Sequence, residues 1–142
     1  MWADTLLHAE QQHLLRLLLW AALSILSGTA VATMVAVRGV RSPLLKHFGI
    51  QMLAWGLVIA AIAGIEWHFA ELRDLSGAAR LERMVWMTSG LDAGYVAVGA
   101  ALALTAWFIA RRMAVVGAGV AVMVQGLALL LIELQFAALI SR

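Results

Sequence analysis

The chain has 142 residues, of which 64% are apolar and only 13% are charged, with a formal net charge of +2. An ordinary soluble domain has about half of its residues apolar and about a quarter charged, so this composition excludes that class. The sequence contains no cysteine, which excludes disulfides, thiolate metal sites and thiol nucleophiles. The small net charge does not indicate nucleic-acid binding, and we expect no nucleic-acid partner.

Four stretches with little charge are each long enough to cross the ~30 Å hydrocarbon core of a bilayer. They lie at about 14–37, 48–70, 85–109 and 114–137. The connections between them are short, and short connections make neighbouring helices antiparallel. The sequence therefore predicts one all-α integral membrane domain over residues 1–142, an up-down-up-down transmembrane four-helix bundle whose surroundings are the lipid bilayer. The spacing of tryptophans and glycines is too irregular to predict an internal repeat.

Polar residues inside the apolar stretches follow helical spacing. Residues at i, i+3, i+4 and i+7 share a helix face, and each predicted helix has one stripe of polar or small residues. In lipid such stripes face the interior of the bundle. The stripes predict an intramembrane polar site formed by Asp92, Glu66, Glu133, Arg16, Tyr95 and His13. The predicted helix ends place these charges in one half of the membrane, with Asp92 deepest, roughly 10 Å from the start of its helix.

The charges of this site do not balance, because three carboxyl groups accompany Arg16, whose guanidinium stays protonated in proteins. At least one carboxyl is then protonated, or a cation or a charged histidine compensates. Two main interpretations stay open: a proton- or cation-responsive site centred on Asp92, or an arginine–carboxylate and amide network that holds the helices together. In a third, Glu66 and Glu133 reach the headgroups and only Asp92 is buried.

The third apolar stretch also contains a small-residue face. Gly90 and Gly94, with Ala97 and Ala101, lie almost opposite Asp92. Small residues let helix backbones approach closely, so we predict helix packing here, within the subunit or alternatively across a homodimer. Two further glycines, Gly99 and Gly126, are predicted packing positions on the polar stripes of the third and fourth helices.

Two histidines, His13 and His68, are predicted at one membrane level, which raises the question of a b-type haem. They lie near the water interface without a second pair, so we predict no cofactor. Glu66 and His68 are two residues apart and point to different faces, which argues against a di-metal carboxylate site. The sequence also has no nucleophile beside a base and no phosphate loop, so no enzymatic activity is predicted.

Three stretches, WGLVIAAIAG, GLDAGYVAVG and GAGVAVMVQGLALLLIE, together carry a family resemblance. The chain resembles an uncharacterised family of small bacterial four-helix membrane proteins. The resemblance implies the four-helix fold and a bacterial inner membrane location. It draws attention to Asp92, Tyr95, Gln125 and Glu133, and it adds Gln125 to the predicted intramembrane polar site. It implies no activity.

These observations predict a non-enzymatic accessory, assembly or binding subunit with an intramembrane polar network around Asp92. Its partners would be a second copy in a homodimer or the members of a larger membrane complex. One alternative is a small proton- or cation-coupled transporter in which Asp92 is the titrating carboxylate. A second alternative is a haem or quinone redox membrane subunit.

Overall fold

A computed structural model of the protein describes residues 2–141, so Met1 and Arg142 of the predicted domain lie outside the described residues. The chain forms α1 (Trp2–Val37), α2 (Pro43–His68), α3 (Leu75–Thr105) and α4 (Met113–Ile140). A π-helical turn, Ala106–Ala110, continues α3. No strand occurs in this part of the chain, and the predicted all-α fold with four helices is confirmed.

Three helices begin earlier than predicted, because the helical backbone continues beyond the apolar stretches. α1 starts at Trp2 instead of near residue 14, and α3 starts at Leu75 instead of near residue 85. Asp74 caps α3: its carboxylate accepts a hydrogen bond of 2.7 Å from the backbone N–H of Gly77. This bond, helped by the Ser76 hydroxyl, lowers the pKa of Asp74. Pro43 begins α2, where a missing N–H costs nothing.

All four helices are long and apolar enough to cross a membrane, judged by length and composition. The prediction of a small integral membrane protein agrees with this. The turn between α1 and α2 contains Gly39 with φ 62°, and the turn between α3 and α4 contains Arg111 with φ 49°. Both residues are in the left-handed region, which reverses the chain within a few residues. The four helices therefore form two antiparallel hairpins, α1–α2 and α3–α4.

Glycines hold the two helices of each hairpin in backbone contact. A β-carbon added at Gly28 would lie 2.5 Å from the backbone nitrogen of Leu53 and 2.7 Å from the carbonyl oxygen of Gly49. Real β-carbons do not approach backbone atoms this closely, so α1 and α2 can cross here only because residue 28 has no side chain. The predicted packing position Gly99 does the same in the second hairpin: its added β-carbon would lie 2.5 Å from the nitrogen of Met123.

The glycine contacts of the two hairpins are equivalent, so the fold contains an internal repeat. Residues of α1 match residues of α3 at an offset of 71, as Gly28 matches Gly99, and residues of α2 match residues of α4 at an offset of 70, as Gly49 matches Gly119 and Gly56 matches Gly126. The partners of these glycines follow the same two offsets. An added β-carbon at Gly56 would meet the backbone of Ala21 and Ile25, and one at Gly126 would meet the backbone of Asp92 and Val96. The irregular spacing of tryptophans and glycines did not predict this repeat, which three matched glycine contacts show.

The two hairpins pack against each other asymmetrically. α4 contacts both α1 and α2, so it lies at the centre of the bundle. Within residues 2–141, the backbone of α3 comes close to α4 but to neither α1 nor α2. In a symmetric pair of hairpins the α2–α3 approach would match the α1–α4 approach. Since α1 and α4 are in contact and α2 and α3 are apart, a cleft separates α3 from the first hairpin.

The small-residue face of α3 is not covered within the chain. Gly90 and Gly94 are exposed, and nothing described lies within 4 Å of a β-carbon added at either position. Packing of these two glycines inside the subunit, the use we expected, is not what the structure shows. The face points outward because α3 contacts α4 through its Gly99 side. The homodimer alternative stays a prediction.

The contrast between Gly99 and Gly90 gives a direct test of this architecture. We expect Gly99→Ala to destabilise the protein by about 1–3 kcal/mol, because the new methyl group collides with the backbone of α4. The matched variant Gly90→Ala should leave stability unchanged or raise it by up to about 1 kcal/mol, since the site is open and alanine is a better helix former than glycine. Thermal unfolding in mild detergent, followed by circular dichroism, measures both. Equal destabilisation by the two substitutions would contradict the glycine contact.

Candidate functional site

The cleft beside α3 consists of two adjoining cavities. The outer one, of about 180 Å³, lies near the helix ends and is lined by residues that include Glu10, His13, Arg73 and Phe136. The inner one, of about 200 Å³, lies between α2 and α3 and is lined by residues that include Trp55, Leu91, Asp92 and Tyr95. Three residues line both cavities: Glu66, Thr88 and Glu133. The cleft therefore leads from the helix ends towards the middle of the bundle.

Asp92 lies at the inner part of this cleft. Its backbone carbonyl faces Gly126, which is midway along α4. Asp92 is therefore near the middle of α3, since this helix begins ten residues before the apolar stretch in which Asp92 lies about two turns from the start. The residue is 6% exposed. Within the described residues its carboxyl group has no hydrogen-bond or ion-pair partner, and its charged neighbour is Glu133.

His13 and Glu133 form the second part of the site. The Nε2 atom of His13 lies 3.5 Å from Oε1 of Glu133, and both side chains are buried. The His13 ring stacks on Phe136, with ring centres 4.3 Å apart. The Nδ1 atom of His13 and the Oε2 atom of Glu133 are buried without a hydrogen-bond partner in the described chain. The site thus contains two acids, Asp92 and Glu133, and it has a histidine nitrogen and a carboxylate oxygen without hydrogen-bond partners in the described chain.

The remaining predicted residues of this region lie at its edges. Glu66 is near the end of α2 and its residue is exposed, although it lines both cavities. Tyr95 is half-buried and meets Trp55 edge to face, with ring centres 5.1 Å apart. This ring contact is where side chains of α2 and α3 touch across the inner cleft. Trp55, which is not among the predicted site residues, is therefore part of the site.

Arg16 is not part of the acidic site. It donates a hydrogen bond of 3.2 Å from Nη1 to the amide oxygen of Gln135, at an exposed position on α4. The interpretation in which Arg16 pairs with the carboxyl groups is therefore not what the described residues show. Arg16 is half-buried on α1, and its partner Gln135 is exposed on α4. The cleft acids receive no compensation from Arg16.

Gln125 lies in a separate amide network that joins α4 to the first hairpin. Its Oε1 accepts a hydrogen bond of 2.7 Å from the indole N–H of Trp20. Its Nε2 donates to the Ser24 hydroxyl at 3.0 Å and approaches the Met52 sulfur at 3.4 Å. Gln125 is 1% exposed. The amide part of the expected network is therefore present, but it fixes the closed α1–α4 contact and stands apart from the acids.

The repeat relates this network to the cleft. The two offsets that match the glycines also match Ser24 with Tyr95 and Trp55 with Gln125, as equivalent positions of the repeat. The Ser24–Gln125 hydrogen bond and the Tyr95–Trp55 ring contact are therefore equivalent positions of the two hairpins. A small hydroxyl permits close approach of α1 and α4, whereas two large rings keep α2 and α3 apart. The open cleft follows from this difference in side-chain size.

The same two offsets show which residues of the first hairpin are equivalent to the acids of the cleft. Asp92 matches Ala21, and Glu133 matches Ala63. Both alanines are fully buried in the apolar core of the first hairpin, together with Leu14 and Ile59. The hairpin fold can thus be built with alanine at these positions. The carboxyl groups are features of the cleft and are not requirements of the hairpin.

An ion pair at the outer end of the cleft was missed by sequence reasoning. Arg73, in the connector before α3, donates to Glu10 of α1 through Nε at 3.0 Å and Nη2 at 2.6 Å. The hydrogen bonds from Arg73 to Glu10 raise the pKa of Arg73. The spacing of Glu10, His13 and Leu17 on one helix face could have indicated that Glu10 points inward. This pair closes the outer cavity on the side of the connector.

Comparison with known proteins identifies the family of the chain. A family model matches residues 16–134, which include Glu66, Asp92, Gln125 and Glu133. The chain belongs to the family of unknown function DUF6992. The predicted membership of an uncharacterised family is confirmed by this match. Neither curated proteins nor solved structures gave a match to the chain. The family fixes the relationship but assigns no activity to the cleft.

The histidines of this DUF6992 protein have different surroundings. His13 is buried against Phe136 and Glu133, whereas His68 is exposed at the end of α2 and contacts Phe69. Two axial ligands of a haem must face one site, and these two do not share an environment. Among residues 2–141, no group of three or more His, Asp or Glu side chains is placed to hold a metal ion.

The Gln125 network predicts a clear difference between two glutamines of α4. We expect Gln125→Leu to destabilise the protein by about 1–3 kcal/mol, because it leaves the Trp20 N–H and the Ser24 hydroxyl without their partner. Gln135→Leu removes an exposed hydrogen bond to Arg16 and should cost less than about 0.5 kcal/mol. Thermal unfolding of both variants in the same detergent compares them. A stability loss confined to Gln135→Leu would show that the α1–α4 contact does not depend on Gln125.

Proposed function

We propose that this protein is a non-enzymatic binding subunit of the membrane, which takes a ligand into the cleft beside α3 with Asp92 as the polar anchor. The observation that carries the proposal is the state of Asp92: buried, without a hydrogen-bond or ion-pair partner in the described chain, and facing a cleft. A carboxyl group in the apolar layer is costly, and such groups pair with a partner or mark a ligand pathway.

The repeat supports a binding role over a purely structural one. A structural carboxyl would be expected to hydrogen-bond across the helices that it holds together. The interhelical hydrogen bonds of the bundle centre belong instead to Gln125, on the closed side. Asp92 and Glu133 replace alanines of the first hairpin and face the open side. Their chemistry is therefore directed at what enters the cleft.

The side chains of the cleft also support a role without catalysis. The hydroxyl group of Thr88 donates to the carbonyl oxygens of Met84 and Val85 in its own helix, at 3.0 Å each. It is therefore held away from the acids and is not activated as a nucleophile. The resemblance found in the sequence further supports a bacterial inner membrane location. The outward small-residue face of α3 is compatible with a homodimer or a larger membrane complex.

Purification from the native membrane tests the binding role. We expect the wild-type protein, isolated in mild detergent, to carry a bound small molecule or lipid that is lost from Asp92→Asn and kept by Glu82→Gln. Glu82 is an exposed acid of the same helix outside the cleft, so this variant removes the same charge elsewhere. Native mass spectrometry of the intact protein and analysis of the extracted molecules provide the measurement.

Thermal unfolding of the same three samples separates binding from structure. Asp92→Asn should be at least as stable as the wild type when no ligand is present, because the substitution replaces a buried ionisable group, which has no protein partner in the described chain, by a neutral amide of similar size. The proposal is wrong if Asp92→Asn is strongly destabilised while wild type and variant carry identical bound molecules. That result would make Asp92 a structural residue.

A second candidate, a proton- or cation-coupled carrier, has one observation in its favour. The acids Asp92, Glu133 and Glu66 follow the cleft from the bundle centre towards the Glu10–Arg73 pair at the helix ends. Chains of acidic and histidine side chains serve as proton relays in membrane proteins. The carrier hypothesis predicts that the protein in liposomes speeds the collapse of an imposed pH gradient when sodium or potassium salts are added.

An internal pH-sensitive dye measures this flux, and Asp92→Asn should abolish it while Glu82→Gln should not. Collapse at equal rates in wild-type, Asp92→Asn and protein-free liposomes would dismiss the carrier and leave the binding role to be judged by its own experiment.

A further inference from the structure

We propose that the ligand of the cleft is a lipophilic organic cation, with its ammonium group at Asp92 and Glu133 and its apolar body along Trp55. This inference rests on the binding role proposed above and names the chemical class of the ligand. It follows from the charges, the aromatic surface and the size of the inner cavity.

The charges of the inner cavity have one sign. Its lining contains three acids, Glu66, Asp92 and Glu133, and it contains no lysine, arginine or histidine among the described residues. The nearest basic group, His13, reaches Oε1 of Glu133 and leaves Oε2 without a partner. Ionised carboxylates can only accept hydrogen bonds. The complementary ligand group is therefore a cation, and an N–H donor in particular, while an anion would be repelled.

The walls of the cavity are apolar and aromatic. Trp55 and Tyr95 meet edge to face, and both line the cavity. Aromatic faces attract ammonium groups, with tryptophan the strongest. Three aliphatic side chains at the rim, Val58, Ile62 and Leu91, are each about half exposed on the lipid-facing side of the bundle. Such walls do not favour an inorganic cation, whereas the alkyl or aryl body of an organic cation packs against them.

The cavity size sets how much of the ligand is enclosed. The inner cavity holds about 200 Å³, which is below the roughly 300–1,000 Å³ of sites that enclose a drug-sized molecule. It can take an ammonium group and the first part of an alkyl chain. Because the cleft is open between α2 and α3, the rest of the chain would remain among the lipid tails. The ligand is thus expected to arrive from the membrane and not from water.

Binding of matched twelve-carbon probes to the protein in nanodiscs of zwitterionic lipid tests this class. The probes are radiolabelled dodecylammonium, dodecyltrimethylammonium, dodecanol and dodecanoate, and empty nanodiscs give the partition into lipid alone. We expect the wild-type protein to bind dodecylammonium at least tenfold more tightly than dodecanol, which corresponds to about 1.4 kcal/mol. Dodecanoate should not bind above the lipid background. Dodecyltrimethylammonium reports the share of binding that comes from charge without N–H donors.

Variants of the cleft residues test whether the probes bind in the cleft. Asp92→Asn should weaken dodecylammonium binding at least tenfold, and the control Glu82→Gln should leave it unchanged. Asp92→Ala, which restores the residue type of the first hairpin, serves as a second variant in case the amide perturbs folding. Ile62→Trp, which narrows the rim of the cleft, should weaken every probe that binds there.

The possible results separate this inference from the proposed binding role. If dodecanol binds wild type as tightly as dodecylammonium does, the cation class is wrong, and this comparison needs no variant. If in that case the native bound molecule is still lost from Asp92→Asn, the binding role stands with a neutral ligand. If no probe binds above background and the wild type carries no bound molecule from its native membrane, both proposals fail.

Discussion

In lipid, apolar side chains gain little by leaving the solvent, and helices associate through close packing and through hydrogen bonds between them. The two hairpins of this protein are built on such packing, because glycines at matched positions bring backbone against backbone. Gly28 and Gly49 do this between α1 and α2, and Gly99 and Gly119 do it between α3 and α4. Each hairpin is consequently a closely packed unit, and the arrangement of the bundle depends on how the two units meet.

The two units meet unequally, and this inequality creates the cleft. On one side Gln125 reaches Trp20 and Ser24 and closes α4 onto α1. On the other side the equivalent positions hold the rings of Trp55 and Tyr95, which are too large for the same approach. α3 is therefore attached mainly through α4. A change in its distance from the first hairpin would break the Trp55–Tyr95 ring contact and disturb the Glu10–Arg73 ion pair, while the backbone contacts of both hairpins stay intact.

The fold class could be predicted from the sequence because lipid restricts spanning segments to long apolar helices. The starts of α1 and α3 could not, since their first turns are polar and carry no hydropathy signal. The repeat was visible in the positions of three glycine pairs, but the side chains around them differ too much for a regular pattern. Among the site residues, helical spacing found Asp92 and Glu133. It could not find the partners of long side chains such as Arg16, which depend on helix rotation.

Of the three acids in the cleft, only one lacks both a basic neighbour among the described residues and an exposed position. Glu133 has His13 beside it, and Glu66 is exposed at the rim, where headgroups or water can solvate it. Asp92 has neither a basic neighbour within the described residues nor an exposed position. Its counterpart Ala21 shows that the hairpin packs without a carboxyl there, so the group has no evident structural use. On the proposed binding role, the cost of burying this carboxyl group in an apolar layer is offset when a ligand in the cleft supplies the missing charge or hydrogen-bond donor.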